Sequence, residues 1–289
     1  LVGSEMCIRD RICTGIAVVI IPIVCLYLLQ CLLVPKYASD IKEGAMIKEY
    51  YNSEKNHDVL ILGDCEVYEN ISTVTMWENY GISSYIRGSA EQLIWQSYYL
   101  LEDTLKYEKP QVVIVNVLAM TESDAKNEAY NRMTLDGMKL SKYKIASVRE
   151  SMTKEENMAS YIFPLLRYHS RWSELSSEDF RYMWKTPSVT TNGYLMQKGI
   201  RPVTTIPKAA PLANYTFSDR NMEYLDKIYS LCKDNGINLV LMKAPSVFPH
   251  WYDEWDKQVS DYADGHGILY LNTICLLYTS PSPRDAHES

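Results

Sequence analysis

The hydrophobic positions of this chain form one long uncharged run near the N-terminus and, later, short apolar runs that alternate with amphipathic stretches. The long run, 12–34, contains no charged residue. A helix of about 20 apolar residues spans a bilayer core, and no small-x-small cleavage site precedes Ala38. We therefore expect an uncleaved transmembrane helix rather than a signal peptide. Arg9 and Arg11 favour a single pass through the cell membrane, with the N-terminus inside and the following domain outside.

The later alternation predicts an α/β fold with a parallel sheet. Each short aliphatic run is bordered by Gly or Pro and has no polar face, which is typical of strands that helices cover on both sides. The predicted strands are 58–62, 82–87, 112–118, 237–243 and 268–271. The predicted helices include a short one ending at Gly81 and longer ones at 91–107, 219–234 and 253–264.

About a hundred residues, 119–218, interrupt the alternation after the third strand. They contain predicted helices near 141–149 and 154–168, and they are too long for a loop, so we expect a helical insertion. The expected organisation is an anchor at 12–34, a connector at 35–57 and an α/β domain at 58–272 that includes the insertion.

Both ends of the sequence, 1–11 and 273–289, resemble translated sequencing-adapter read-through. Such segments are kept out of fold reasoning. We therefore expect the natural protein to continue past about Asn272.

Composition limits the partners and cofactors. The net charge of -7 and the lack of a Lys/Arg cluster argue against nucleic-acid binding. No Gly-x-Gly-x-x-Gly or Walker loop occurs and no spacing suggests a metal site, so no cofactor and no metal are implied. Of seven cysteines, only Cys65 and Cys232 belong to the α/β domain, so no disulfide framework is expected.

A candidate site lies where the predicted strands end. Gly63-Asp64-Cys65 follows the first strand, Gly88-Ser89 the second, and Ser246 comes shortly after the fourth. The chemistry of open α/β sheets collects outside the carboxyl ends of the strands. We therefore expect these side chains at one edge of the sheet, with Cys65 as the reactive group.

The Gly63-Asp64-Cys65 turn after a buried first strand resembles the Gly-Asp-Ser motif of the SGNH, or GDSL, hydrolases, with Cys in place of the nucleophilic Ser. The resemblance covers 58 to about 272 and implies a flavodoxin-like three-layer fold. It implies Cys65 as nucleophile and the backbone N–H groups of Cys65 and Gly88 as oxyanion donors. Asn116 would be the third donor, although it lies within a strand rather than in the family's Gly-x-Asn-Asp, and a structurally bonded Asn is the alternative.

With its anchor, the chain is similar to the membrane-anchored envelope members of that family, such as those that transfer D-alanyl groups in teichoic acid synthesis. The resemblance implies an esterase or acyltransferase that acts on acyl esters of an envelope glycan or lipid. Its catalytic Asp-x-x-His would follow the last strand. Asp285-Ala286-His287 stands near that place but within the adapter-like tail, so we interpret it as a coincidence.

Further residues are candidates for substrate binding or proton transfer. The substrate-binding candidates are Asp64, Ser89, Arg132, His169 and Ser246. His250 is a candidate substitute base, whereas His57 and His266 precede strands and are expected at the opposite edge of the sheet.

Two other functions stay open. The Cys in place of Ser and the missing Asn motif favour a catalytically degenerate SGNH domain that binds an envelope polymer or a partner protein. A redox role for Cys65 is disfavoured because no resolving cysteine lies nearby in the sequence.

Overall fold

The fold was analysed in a computed structural model, which describes residues 2–36, 44–196, 209–246 and 250–274. The chain forms two compact units. The helical unit comprises Leu1–Ala38 and Asn157–Pro187, and the sheet unit comprises Ser39–Glu156 and Ser188–Ser289. The predicted insertion 119–218 therefore contributes to both units. The tail residues Asp285, Ala286 and His287 lie outside the described residues.

Five parallel strands form one sheet in the described part of the sheet unit. They are β1 (Val59–Gly63), β2 (Ser84–Gly88), β3 (Val112–Asn116), β4 (Asn238–Lys243) and β5 (Leu269–Asn272). Their spatial order is β2-β1-β3-β4-β5 and every neighbouring pair is parallel. This is the doubly wound order of flavodoxin-like sheets. The predicted α/β class and parallel sheet are confirmed, and each strand lies within two residues of its predicted bounds.

The helices of the described chain surround this sheet or belong to the helical unit. In chain order they are α1 (Val2–Leu33), α2 (Ala45–Glu49), α3 (Cys65–Asn70), α4 (Thr73–Tyr80), α5 (Ile94–Thr104), α6 (Glu128–Leu135), α7 (Lys142–Ser151), α8 (Met158–Ile162), α9 (Leu165–Tyr168), α10 (Ser177–Arg181), α11 (Asp219–Asp234) and α12 (Asp253–His266). Short 3-10 helices lie at Tyr50–Asn52, Val117–Thr121 and His169–Glu174. The predicted helix 219–234 is confirmed in full, whereas 91–107 is shorter and 154–168 is divided into α8 and α9.

The central strand β1 is buried on both of its faces. Val59 and Ile61 of β1 pack in one cluster with Met46 of α2 and Val67 of α3. Because side chains alternate along a strand, the neighbouring Leu60 and Leu62 point to the opposite face, and both are fully buried as well. The continuous aliphatic run of β1 is therefore explained by helices on both sides of the sheet.

In the helical unit, α1 covers the predicted anchor 12–34 except for its last residue, Val34. Its segment Arg9–Leu33 is long and apolar enough to cross a membrane. A signal sequence has the same length and composition, so the helix fits an anchor or a signal sequence.

Candidate active site

A cleft of about 390 Å³ lies where the strand order reverses, outside the carboxyl ends of β1 and β3. The switch point of a doubly wound sheet is where such folds bind ligands. The lining comes from the segments that follow the first three strands. It consists of Asp64, Cys65, Glu91, Gln92, Leu118, Ala119, Thr121, Glu122 and Lys126.

In the turn that positions Cys65, Asp64 caps α3, and two glycines lie close to neighbouring side chains. Asp64 is the N-cap of α3, and its Oδ1 accepts a hydrogen bond of 3.0 Å from the Glu66 backbone N–H. A Cβ on Gly63 would lie 2.7 Å from the Cβ of Asn116, and one on Gly88 would lie 2.8 Å from Cγ2 of Val67. A Cβ at either strand end would therefore crowd these side chains, and glycine avoids this in the turn that places Cys65 at the start of α3.

Cys65 is half-buried and lines the cleft. Burial, reinforced by the carboxylates of Asp64, Glu69, Glu66 and Glu91, raises the pKa of its thiol to about 12. Among the described residues, Sγ has no hydrogen-bond partner. At neutral pH the side chain is therefore a thiol rather than a thiolate.

Behind the cleft lies a buried polar network of Asp64, Glu66, Asn116 and Lys243. Lys243 Nζ donates to both carboxylate oxygens of Glu66, at 2.7 and 2.8 Å, and to the Ala244 carbonyl oxygen at 2.8 Å. Asn116 Nδ2 donates to Asp64 Oδ1 at 3.1 Å and to Glu66 Oε2 at 3.0 Å. The network connects the ends of β1, β3 and β4, since Asn116 Oδ1 also accepts the Ala244 backbone N–H at 3.1 Å.

This network uses both amide hydrogens of Asn116. Both of its hydrogens are donated to carboxylates and its oxygen accepts a backbone N–H. In this arrangement no amide hydrogen of Asn116 is left for an oxyanion. Its role as third donor stays a prediction, and the alternative of a structurally bonded Asn describes the contacts in the structure.

Asp64 presents two different oxygens. Oδ1 accepts hydrogen bonds from the Glu66 backbone and from Asn116, whereas Oδ2 accepts none from a described residue, and the side chain lines the cleft. Burial, reinforced by the negative charge of Glu66, raises the pKa of Asp64 to about 7. The two hydrogen bonds and the positive charge of Lys243 act in the opposite direction. Asp64 can therefore exchange a proton near neutral pH.

Glu91, Glu122 and Lys126 form a charged rim on the cleft. Lys126 Nζ lies 2.7 Å from Glu91 Oε2 and 3.1 Å from Glu122 Oε1. Burial lowers the pKa of Lys126, but the hydrogen bonds to the two carboxylates outweigh it and the net shift is upward. The rim therefore carries one more negative than positive charge.

Ser89 and Ser246 do not line this cleft. Ser89 is buried, and its Oγ hydrogen-bonds Gln92 Oε1 at 3.2 Å and the hydroxyl of Thr134. Ser246 is half-buried beyond β4. Their predicted roles in substrate binding stay predictions.

Arg132 is also outside the lining of the cleft and is fully buried within α6. Its guanidinium pairs with Glu128 at 2.7 Å and with Asp136 at 3.0 Å. These pairs hold the side chain against its own helix, so substrate binding by Arg132 stays a prediction.

The described histidines do not line the cleft. His169 belongs to the helical unit, where its exposed ring Nδ1 hydrogen-bonds the Leu166 carbonyl at 2.9 Å. His250 is exposed against Tyr252. His57 is buried and pairs with Glu108 at 2.9 Å.

Sequence reasoning missed Glu66 and Lys243 as a pair, and it missed the charged rim. Lys243 offered a signal, because a lysine that ends an aliphatic strand has to find a buried partner.

No three His, Cys, Asp or Glu side chains within the described ranges are grouped so that they could hold a metal ion.

A larger cavity of about 650 Å³ shares Thr121 and Glu122 with the cleft. Hydroxyl, amide and carboxylate side chains line it together with Phe217 and Trp255, whose rings stack at 6.4 Å. The cleft therefore continues into a space with both polar groups and an aromatic wall.

No family model matches the chain, and no curated protein matches it. Among solved structures, the chain is similar to a GDSL-like lipase from Bacteroides thetaiotaomicron VPI-5482, with 12% identity, a TM-score of 0.34 and coverage of 80% of this chain and 78% of that one. It is also similar to a candidate acylhydrolase from Bacteroides fragilis NCTC 9343, with 11% identity, a TM-score of 0.32 and coverage of 85% and 74%. Similarities with such low sequence identities and TM-scores do not assign the chain to a family or to an activity.

Proposed function

We propose that this chain is a membrane-anchored esterase or acyltransferase of the SGNH type, with Cys65 in the place of the nucleophilic serine. The observation that carries the proposal is the position of Cys65. It begins α3 directly after the Gly63-Asp64 turn and lines the cleft at the switch point of the sheet. That is where a doubly wound sheet places its reactive groups.

In the proposed reaction, Cys65 Sγ attacks the ester carbonyl carbon, and the thiol proton passes to Asp64 Oδ2 through one water molecule in the cleft. The C–O bond to the alcohol breaks, and Asp64 returns the proton to the departing oxygen, which leaves a thioester. Water or an acceptor hydroxyl then attacks the thioester carbonyl, Asp64 accepts its proton, and the proton passes to Sγ as the C–S bond breaks. A pKa of about 7 suits Asp64 to both directions of transfer.

The oxyanion would be held by backbone donors. The N–H groups of Cys65 and Gly88 are the two that the family resemblance implies. Each such donor is worth about 3 kcal/mol in a tetrahedral transition state.

The proposed substrate is an acyl ester of an envelope glycan or lipid. The larger cavity would receive the part of the substrate that does not react, because its hydroxyl and amide groups suit sugar hydroxyls and the half-buried Trp255 ring suits an apolar sugar face. Anchoring by α1 would place the sheet unit outside the cell membrane, near such polymers.

Esterase assays of the full chain in mild detergent test the proposal. The substrates are 4-nitrophenyl acetate and an acetylated glycan, and the variants are Cys65→Ala, Cys65→Ser and Asp64→Asn. We expect Cys65→Ala to abolish turnover and Cys65→Ser to retain part of it. Cys232→Ala, at a buried cysteine of α11, is the matched control and should keep the wild-type rate. Equal rates in wild type and Cys65→Ala would refute the nucleophile.

A catalytically degenerate SGNH domain that binds an envelope polymer is the second candidate. It is favoured by the raised pKa of the Cys65 thiol, which has no hydrogen-bond partner among the described residues, and by the two amide hydrogens of Asn116, which are both donated to carboxylates. In this case the chain turns over no ester, and calorimetry should detect binding of a deacetylated glycan with the same affinity in wild type and Cys65→Ala.

A further inference from the structure

Large apolar side chains are exposed along the Asn157–Pro187 segment of the helical unit. Five of them lie within a stretch of 22 residues, and each is 56–71% exposed. They are Phe163, Leu166, Trp172, Phe180 and Trp184. Large apolar side chains exposed this densely along one segment favour an interaction site over an ordinary solvated face.

The same segment buries almost no side chain of its own. Between Asn157 and Pro187, all of which the structure describes, only Tyr161 and Asp179 are buried. Apolar burial is the main source of folded stability. A segment that leaves its largest apolar side chains in water is therefore expected to bury them against something else. The surface that buries these side chains has to be apolar and has to lie outside the segment.

The segment is attached to the C-terminal end of α1. α9, α10 and the 3-10 helix His169–Glu174 all contact α1, and Leu33 in its last turn is buried. Arg171 Nη1 donates to the Leu33 carbonyl at 2.7 Å, while Nη2 donates to both oxygens of Asp179 at 2.8 and 2.9 Å. Arg171 therefore ties the end of α1 to the start of α10.

The attachment to the C-terminal end of α1 determines the depth of the segment in a bilayer that α1 spans. The candidate membrane span of α1, Arg9–Leu33, has 25 residues and a length of about 38 Å at 1.5 Å per residue. A hydrocarbon core is about 30 Å thick, so the last turn of a spanning α1 lies among the lipid headgroups. Tryptophan and phenylalanine are favoured at that depth.

We propose that Asn157–Pro187 is a membrane-interface element that seats its exposed aromatic and aliphatic side chains in the lipid headgroup region beside α1. The proposal rests on α1 spanning the membrane, as proposed above. The exposed Arg181 and Lys185 flank Phe180 and Trp184 and would meet lipid phosphates. Lipid is the occupant favoured here, because the surface continues directly from the end of a helix whose own sides are apolar and exposed.

Tryptophan quenching by brominated lipids tests this inference on the full chain, reconstituted in vesicles of phosphatidylcholine and phosphatidylglycerol. The variants are Trp172→Tyr with Trp184→Tyr, and Trp77→Tyr as the control at an equally exposed tryptophan of the sheet unit. We expect bromine near the headgroup end of the acyl chain to quench wild type more strongly than bromine near the chain centre. The double variant should lose at least half of that quenching, and the Trp77 variant should lose none.

The outcomes separate this inference from the proposed anchor. If the chain floats with the vesicles and the double variant is quenched as much as wild type, the anchor stands and the interface element is wrong. If the two tryptophans are shielded from aqueous acrylamide but not quenched by lipid, a protein surface covers them and the assignment to lipid is wrong. A chain that does not float with the vesicles overturns both the anchor and the interface element.

Discussion

Asp64→Asn changes the charge of the buried network while preserving its shape. Asparagine keeps an oxygen that can accept the hydrogen bonds from the Glu66 backbone and from Asn116, as Asp64 Oδ1 does now. Only the ionisable group is removed. The effect of this substitution on the free energy of unfolding should therefore depend on pH.

The magnitude follows from the two pKa values. Asp64 has a pKa of about 7 in the folded chain, against 3.8 for an unperturbed Asp. Between these values the folded state binds one more proton than the unfolded state, so wild-type stability falls by about 1.4 kcal/mol per pH unit as pH rises. The stabilisation of the fold by protonated Asp64 is fully present below pH 3.8 and is lost once the pH passes 7. Over this whole window the free energy of unfolding changes by about 4 kcal/mol.

Urea unfolding of the full chain in mild detergent, at half-unit steps from pH 4.5 to 8, measures this effect. The difference in unfolding free energy, wild type minus Asp64→Asn, should fall steadily up to about pH 7 and then level off. Glu78→Gln, at an exposed carboxylate of α4, is the control for removing a carboxylate at the surface. A flat difference for Asp64→Asn would show that Asp64 is ionised throughout and would refute its proposed proton transfer near neutral pH.

Three further predictions concern the same region. Lys243→Met should lower the free energy of unfolding by about 3–5 kcal/mol, because it leaves the Glu66 carboxylate buried without its ion pair, and adding Glu66→Gln should restore most of the loss in urea titrations. Gly88→Ala should cost about 1–3 kcal/mol in the same measurement, since its Cβ would lie 2.8 Å from Cγ2 of Val67. Cys65 should react with iodoacetamide at pH 8 about a thousandfold more slowly than a free cysteine, because of its raised pKa, as followed by peptide mass spectrometry.

Periodicity predicted the elements whose ends carry local signals. α11 matches its prediction because Ser218 provides an N-cap, with Oγ accepting the Asn221 N–H, and Gly236 follows its end. β3 was predicted to reach 118 but ends at Asn116, where the chain enters a 3-10 helix. Val117 and Leu118 are buried in that helix as they would be in a strand. An apolar pattern reports burial, and it does not distinguish these two backbone conformations.

The position of the cleft could also be predicted from the sequence, whereas its electrostatics could not. Gly63-Asp64-Cys65 marks the strand end because its glycine and N-cap are local features. The Glu66 to Lys243 ion pair joins residues 177 positions apart. A single sequence does not show which buried charged residues are in contact. The pKa values of Asp64 and Cys65 depend on burial and on such contacts, so they became apparent only from the structure.

Asn116→Ala distinguishes a structural Asn116 from a catalytic one. To donate to an oxyanion, Asn116 has to withdraw a hydrogen bond from a buried carboxylate of Asp64 or Glu66, at a cost of about 1.5–3 kcal/mol. An oxyanion donor contributes about 2.7–4 kcal/mol, so the net gain is close to 1 kcal/mol. The substitution should therefore lower the free energy of unfolding by at least about 3 kcal/mol while reducing kcat/KM per folded molecule less than about tenfold. A loss of a hundredfold or more in kcat/KM, with the unfolding free energy unchanged, would show that the Asn116 amide turns towards the substrate in the reaction.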